Sequence, residues 1–325
     1  MMSKKIHEFQ NGEQIQCFCL IKSADARKTR AGKPYLALTF TDQSGDISGM
    51  LWDADDNAIN QFVAGKVIFL DGLRSEYNSR PQVRINSLRL ATDAEPNDPA
   101  IYTAHAPMSR AKMQEELDSY IFAITNGVWA RIVRELMQRH ASGFFTWPAA
   151  TRNHHAYAGG LAFHTLSILR LAKAVCDLYD GINKSLLYAG AICHDLGKLT
   201  ELSGPVGTQY TTEGKLLGHI SIMDGEIVSV CNDLKIDPND SDVVLLRHMV
   251  LSHHGKLEFG SPERPALLEA EILNRLDDLD ASITEVQGAL KKTAPGEFTN
   301  RLFAMDNRAF FRPDASGSTN QPDNH

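Results

Sequence analysis

Apolar residues recur at every second position in the first ninety or so residues of this chain and at helical spacing beyond about residue 109, a switch that no single regular layer can carry. The first region reads as five short strands at 15–24, 35–41, 47–52, 67–73 and 82–90. Between the third and fourth, Asp53-Ala54-Asp55-Asp56-Asn57 followed by Ala58, Ile59 and Phe62 reads as a short capped helix. Residues 92–99 are rich in turn formers and poor in apolar side chains, which marks a boundary. Beyond it Met113, Leu117, Tyr120, Ile121 and Ile124 fall on one helical face, and Val128, Ile132 and Leu136 continue after Asn126-Gly127. Further helices are expected at about 160–178, 185–196, 217–234, 241–253, 265–292 and 297–304.

Five strands with a helix between the third and fourth is the order of an OB-fold barrel. The expected organisation is therefore multidomain: an all-β OB-fold barrel over 1–95, a linker over 96–109, an all-α domain over 110–312 and a disordered polar tail over 313–325. A hydrophobic content of 43% against 22% charged residues suffices for two cores and excludes wholesale disorder. No apolar run approaches the roughly 20 residues that cross a bilayer, and the first residues lack the apolar stretch of a secretion signal, so a soluble, cytoplasmic protein without a membrane partner is expected. The five cysteines are scattered, with no C-x-x-C, and signal neither a disulfide framework nor a thiolate zinc site. The formal net charge is -7, yet residues 1–95 hold 12 basic and 12 acidic side chains, so the whole deficit lies in the remainder and the barrel is the better polyanion contact.

The twelve histidines carry the chemistry through their placement. His164 falls within the stripe Leu161, Ile168, Leu171, Val175, and His194 follows Leu187 and Ala191 before Asp195. Asp277 and Asp280, one turn apart, sit among Leu273, Leu276 and Ile283. Such stripes face a core, where an unpaired carboxylate is costly and an imidazole needs a partner. Taken singly, each is read as a hydrogen-bonded core residue; one divalent ion shared among them satisfies all together.

The set His164, then His194-Asp195 with Gly197 and Lys198, then a late helical Asp277, resembles the H…HD…D signature of the HD-domain metal-dependent phosphohydrolases. The resemblance implies His164, His194, Asp195 and Asp277 as metal ligands. It further implies His219, His253 and His254 as the additional ligands of enzymes that hold two metals, with Asp195 as the bridge. Imidazole mixed with carboxylate suits Mn²⁺, Co²⁺, Fe²⁺ or Zn²⁺; two ions per chain, with manganese foremost, are what the resemblance implies. A bound ion brings the pKa of its water toward neutrality, and Lys198, one turn beyond Asp195, can reach a bound phosphate.

The metal site alone does not select a substrate among deoxynucleotides, alarmones, cyclic dinucleotides and RNA. The barrel narrows it. The loop after its first strand carries Arg27, Lys28, Arg30 and Lys33 with Tyr35 and Phe40 next along the chain, and the loop after its fourth supplies Arg74, Tyr77, Arg80 and Arg84, the basic and stacking side chains that hold single-stranded nucleic acid. An OB barrel followed by an HD domain resembles the YhaM-type 3′-to-5′ exoribonucleases from about residue 12 to 311, on the stretches 154–165, 194–198, 251–255, 260–262 and 276–281. This implies trimming of single-stranded RNA, and of single-stranded DNA as a second substrate, to 5′-mononucleotides, in a protein open to homo-oligomer formation. His154 and His155 are candidates to shape the substrate pocket, with a structural role equally open for either. Two alternatives stand beside it: a phosphodiesterase for cyclic or small nucleotides, which the absence of Gly-Tyr-Pro after His253-His254 and the Gly at 160 disfavour, and a non-catalytic RNA-binding protein with a degenerate HD domain.

Overall fold

The computed structural model of the 325-residue chain describes residues 4–314 apart from 78–79, 104, 152–154 and 156. Strands β1 (Gln14–Lys28), β2 (Pro34–Asp42) and β3 (Gly45–Trp52), helix α1 (Asp56–Gln61), then β4 (Val67–Tyr77) and β5 (Arg80–Leu90) form a barrel closed in the order β1-β2-β3-β5-β4. This is the OB order expected from the strand pattern. The long β1 pairs with β4 from Gln14 opposite Leu73 to Leu20 opposite Val67, then with β2 as far as Lys28 opposite Pro34. A register shift between Ile21 and Ser23 supplies the bend that lets one strand serve both neighbours. Parallel pairing of Ser48 with Gln82 and Gly49 with Val83 completes the closure. Alternation follows: Leu36, Leu38 and Phe40 are buried inward, while Tyr35, Ala37 and Thr39 face outward.

The barrel departs from expectation at two points. Phe40 is fully buried in the core and presents no ring to a ligand. The basic side chains are divided between strand and turn: β1 runs through Arg27 and Lys28, Arg30 and Lys33 lie in the turn that follows, and β4 and β5 carry Arg74 and Arg84 in a long hairpin. Exposed polar ends of strands lack apolar alternation, so the pattern stops before the hydrogen-bonded ladder does.

The helical part comprises α2 (Arg110–Phe122), α3 (Gly127–Arg139), α4 (Gly160–Leu178), α5 (Lys184–Cys193), α6 (Lys198–Glu201), α7 (Thr212–Leu234), α8 (Ser241–Ser252) and α9 (Leu268–Lys291). Ser109, Asn126, Asn183, Thr211 and Asp240 cap α2, α3, α5, α7 and α8 with side-chain oxygens, which fixes where each helix begins. Residues 185–193 of α5 are all buried. A helix apolar all round must lie at the centre, and α5 packs against α3, α4, α8 and α9. Its C-terminus thereby delivers His194 and Asp195 to the middle of the bundle. Among the described residues no helix is long and apolar enough to cross a membrane.

A helix expected at 297–304 is absent. Residues 296–312 form an antiparallel hairpin with Phe298 bridged to Phe311 and Leu302 to Arg308. Asp306 and Asn307 adopt φ of 53° and 57°, and the Arg308 N–H donates to Met305 O, a tight reversal that an Asp-Asn pair accommodates. Of the expected disordered tail, residues 315–325 lie outside the described residues.

Barrel and helices meet at a small apolar contact. Leu20, Val67 and Tyr102 cluster with Val206, which belongs to the segment joining α6 to α7. The segment expected as a linker holds Tyr102 in a 3-10 turn (Pro99–Tyr102), with its hydroxyl donating to Pro96 O.

Candidate metal centre and nucleic-acid face

His194 and His253 both stand immediately after the last residue of a helix, α5 and α8, and both are fully buried. Each faces the carbonyl three residues back through Nδ1, His194 to Ala191 O at 2.8 Å and His253 to Val250 O at 2.7 Å. A carbonyl only accepts, so Nδ1 carries the proton and Nε2 is left as a lone pair aimed inward. His254 repeats the arrangement, donating from Nδ1 to Phe259 O at 2.6 Å. His219 does so through Glu201, whose Oε1 lies 3.1 Å from Nδ1 and also accepts the His219 N–H at 3.0 Å. Backbone strain and close approach shape this corner: α7 breaks at Gly218, with φ +71°, and a Cβ on Gly197 would stand 2.2 Å from His219 O. Only glycine at 197 lets the two chains approach so closely.

These lone pairs converge on Asp195. Its Oδ1 lies 3.4 Å from His219 Nε2 and 3.9 Å from His253 Nε2, while Oδ2 lies 3.6 Å from His164 Nε2 and 3.4 Å from His194 Nε2. Ligand atoms of Asp195, His219, His253 and His254 gather within 4.8 Å of one another, and so do those of His164, His194 and Asp195. Asp277 joins from α9, with Oδ1 3.1 Å from His164 Nε2 and Oδ2 3.9 Å from His254 Nε2. Thus the two oxygens of Asp195 face two different groups of imidazoles.

Of the five buried side-chain polar atoms without a hydrogen bond among the described residues, four are His194 Nε2, His219 Nε2, His253 Nε2 and Asp195 Oδ1. Orphaned acceptors facing one another in a dry interior repel, and each costs about 1–3 kcal/mol. Ligand-to-ligand spacings of 3.4–3.9 Å suit a cation with bonds of about 2.0–2.2 Å. The donor set therefore fits a divalent ion, and Asp195 is placed to serve two.

Protonation supports the same reading. Burial pushes the His253 pKa far down, helped by His254 and His194, and burial likewise lowers His254, which keeps both imidazoles neutral and able to ligate. Burial would raise Asp195, but Lys198 and His194 outweigh it and hold the carboxylate ionised. His164 is the exception: burial opposes its charge, yet Asp277 and Asp280 carry its pKa up to about 9, so at neutral pH it holds a second proton that a cation would have to displace from Nε2. Lys198 Nζ lies 2.7 Å from Asp195 Oδ2 and stays protonated against its own burial through that pair.

Two further carboxylates hold the imidazoles in place. Asp280 Oδ2 accepts from His164 Nδ1 at 2.7 Å and lies 2.8 Å from His155 Nε2, and Glu201 orients His219. Helical spacing does place Asp280 on the buried stripe with Asp277; nothing in the local pattern marks Glu201, whose role depends on α7 returning beside α6. His155, expected at the substrate, is buried behind His164 between Asp280 and the Tyr157 hydroxyl, 2.7 Å from its Nδ1, and so acts on the position of Asp280. His154 lies outside the described residues.

On the barrel, Arg27, Tyr35 and Trp52 stand side by side across β1, β2 and β3. The Tyr35 and Trp52 rings are 5.0 Å apart, and Trp52, at the end of β3, is 57% exposed. Its signal was its register opposite Tyr35. Lys28, Arg30 and Lys33 are exposed around the adjoining turn, where Lys33 Nζ lies 3.3 Å from Asp53 Oδ1. Below this row a shallow concavity is lined by Ser23, Asp25, Thr39, Met50 and Gln82. Tyr77 is exposed on the β4–β5 hairpin, while the Arg80 side chain is outside the described set. Arg74 is corrected: its inward position on β4 buries the guanidinium in the barrel, away from any strand lying on the outer face.

Comparison with solved structures finds similarity to the second OB-fold domain of replication protein A from Methanococcus maripaludis, at 18% identity over 26% of this chain and 91% of that one, with a TM-score of 0.22. Residues 161–282, which span α4 to α9 and hold every described imidazole and carboxylate of the centre except His155, match the family model of the HD domain, so the helical part of this chain carries an HD domain.

Proposed function

We propose that this chain is a divalent-metal-dependent phosphodiesterase that shortens single-stranded RNA from its 3′ end, with single-stranded DNA as a second substrate, releasing 5′-mononucleotides. The observation that carries the reading is the cluster of buried, unpaired acceptors on His194, His219, His253 and Asp195, beside the partly exposed His254, Asp277 and Lys198. His164, His194, Asp195 and Asp277 would hold one ion and Asp195, His219, His253 and His254 a second. Ions so held supply Lewis acidity, acidifying water and polarising a phosphoryl oxygen. The chain's own part is to keep the imidazoles neutral and aimed, and to exclude bulk water from His194 and His253. Lys198 offers an ammonium for the negative charge that accumulates on phosphate oxygens as water adds to phosphorus and the 3′-oxygen departs.

Single-stranded nucleic acid as substrate is supported by the row of Arg27, Tyr35 and Trp52 with Lys28, Arg30 and Lys33 beside it, a basic and aromatic face on an OB barrel. The 3′-to-5′ direction and manganese as the working ion rest on the resemblance to the YhaM-type enzymes. Residues 1–95 and 110–312 are proposed as the two functional units.

The test uses a 5′-labelled single-stranded RNA with Mn²⁺ and the full chain. Progressive shortening of the labelled strand by the unaltered protein and none by Asp195→Ala supports the proposal. An intact strand alongside hydrolysis of a cyclic dinucleotide overturns it.

A further inference from the structure

His254 is the most exposed of the histidines in the centre, 24% at its side chain, so the centre opens on its side. From there the chain enters a turn, residues 255–261, that is firmly tied. The His254 N–H donates to Ser261 Oγ at 3.0 Å, the Ser261 N–H to Lys256 O at 3.2 Å and His254 Nδ1 to Phe259 O at 2.6 Å. Ser261 is buried, and these bonds pin the turn to His254.

A segment so constrained would be expected to turn its apolar side chains inward. Instead Leu257 and Phe259 stand in solvent, Phe259 at 61%, with Lys256 Nζ 5.4 Å from the centroid of its ring. The Phe259 carbonyl orients a histidine of the centre, and that bond ties the backbone from which the ring projects to the centre. An exposed phenyl face beside an ammonium, next to a histidine of the centre, matches the two parts of a nucleotide, a base to stack and a phosphate to neutralise.

We propose that Phe259 and Lys256 form a subsite for a nucleotide adjoining the scissile linkage, the base stacking on Phe259 and the neighbouring phosphate pairing with Lys256. This rests on the phosphodiesterase reading above and deepens it. Every base has a π-face, so the subsite favours nucleic acid over base-free phosphodiesters without favouring a sequence. Phe259→Ala keeps the backbone carbonyl and hence the orientation of His254, which separates the role of the ring from that of the carbonyl.

The test compares full-length wild type, Phe259→Ala and Phe259→Trp, each loaded with Mn²⁺ and checked for metal content and sedimentation. Each is mixed rapidly with RNA oligonucleotides carrying 2-aminopurine, or an abasic residue, in the terminal positions at the 3′ end. The proposal expects stacking to quench 2-aminopurine before cleavage with wild type and Phe259→Trp but not with Phe259→Ala. It also expects Phe259→Ala to lose roughly 5- to 100-fold in kcat/KM on the base-bearing strand, with little change on the abasic one. Retained quenching and retained preference in Phe259→Ala overturn it, as does a change in sedimentation with both retained, which would mark a contact between copies of the chain. Cleavage by wild type that ignores the abasic residue overturns the subsite alone, and no cleavage of either strand overturns the phosphodiesterase reading and the subsite with it.

Discussion

His164 Nδ1 donates to Asp280 Oδ2 at 2.7 Å, and this bond turns the His164 Nε2 toward Asp277 and Asp195. A carboxylate behind an imidazole raises its basicity and fixes its ring, and the loss of such a partner lowers metal affinity or activity by about 10- to 100-fold. Asp280→Asn is therefore expected to weaken Mn²⁺ binding within that range, read by calorimetric titration, with the helical content unchanged by circular dichroism. Unchanged affinity would show that Asp280 serves packing alone.

Lys198 is held against Asp195 at 2.7 Å with its side chain 13% exposed. Lys198→Ala is expected to lower kcat by about 100-fold, the scale for removing one group aimed at developing charge, while each chain retains its metal. Parallel loss of metal and turnover would make Lys198 a structural counter-ion of Asp195.

Trp52→Ala removes the exposed ring of the Tyr35–Trp52 pair. Stacking of a base on an aromatic ring contributes about 1–3 kcal/mol, so affinity for a long single strand should fall by about that amount, while hydrolysis of bis(p-nitrophenyl) phosphate stays unchanged. Replacing Arg27, Lys28, Arg30 and Lys33 by alanine should instead flatten the dependence of binding on salt. A fall in small-diester hydrolysis would mean that the barrel face supports the catalytic fold.

Most of the architecture was readable because each part announces itself through periodicity. The stripe over 160–178 became α4, and Asn126, an Asx residue before a helical run, became a cap. The histidines of the centre were readable for the same reason: a polar residue on an apolar stripe is conspicuous. What stayed hidden was set by tertiary return of the chain. Glu201 reaches His219 only because the segment after α6 folds back to α7, Trp52 gains meaning only opposite Tyr35, and Arg74 turns inward through the pleat of a strand longer than its apolar stretch. The hairpin over 296–312 was misread because Phe298, Leu302 and Phe303 mimic helical spacing, whereas the decisive signal was the short reversal at Asp306-Asn307.

Glu116 joins α2 to α4 by accepting from Arg170 at 2.7 Å and 2.6 Å, and this pair holds its carboxyl below the usual value. A depressed folded pKa means stability that is present above the unfolded value of about 4.3 and is lost as pH falls through the folded one. Glu116→Gln should thus flatten the acid end of the stability curve, at a cost near neutrality of no more than about 1 kcal/mol because Arg170 is 38% exposed and screened. An acid transition identical to wild type in urea melts would contradict this.

The central claim is that these imidazoles and carboxylates enclose a cation, and binding of that ion is the most direct measurement of it. Metal-stripped protein titrated with Mn²⁺ should bind one to two ions per chain and gain thermal stability, by about 2.7 kcal/mol at a hundredfold excess over Kd. His194→Ala and Asp195→Ala should lose both effects. Binding no tighter in wild type than in these variants, with no rise in Tm, would contradict the account.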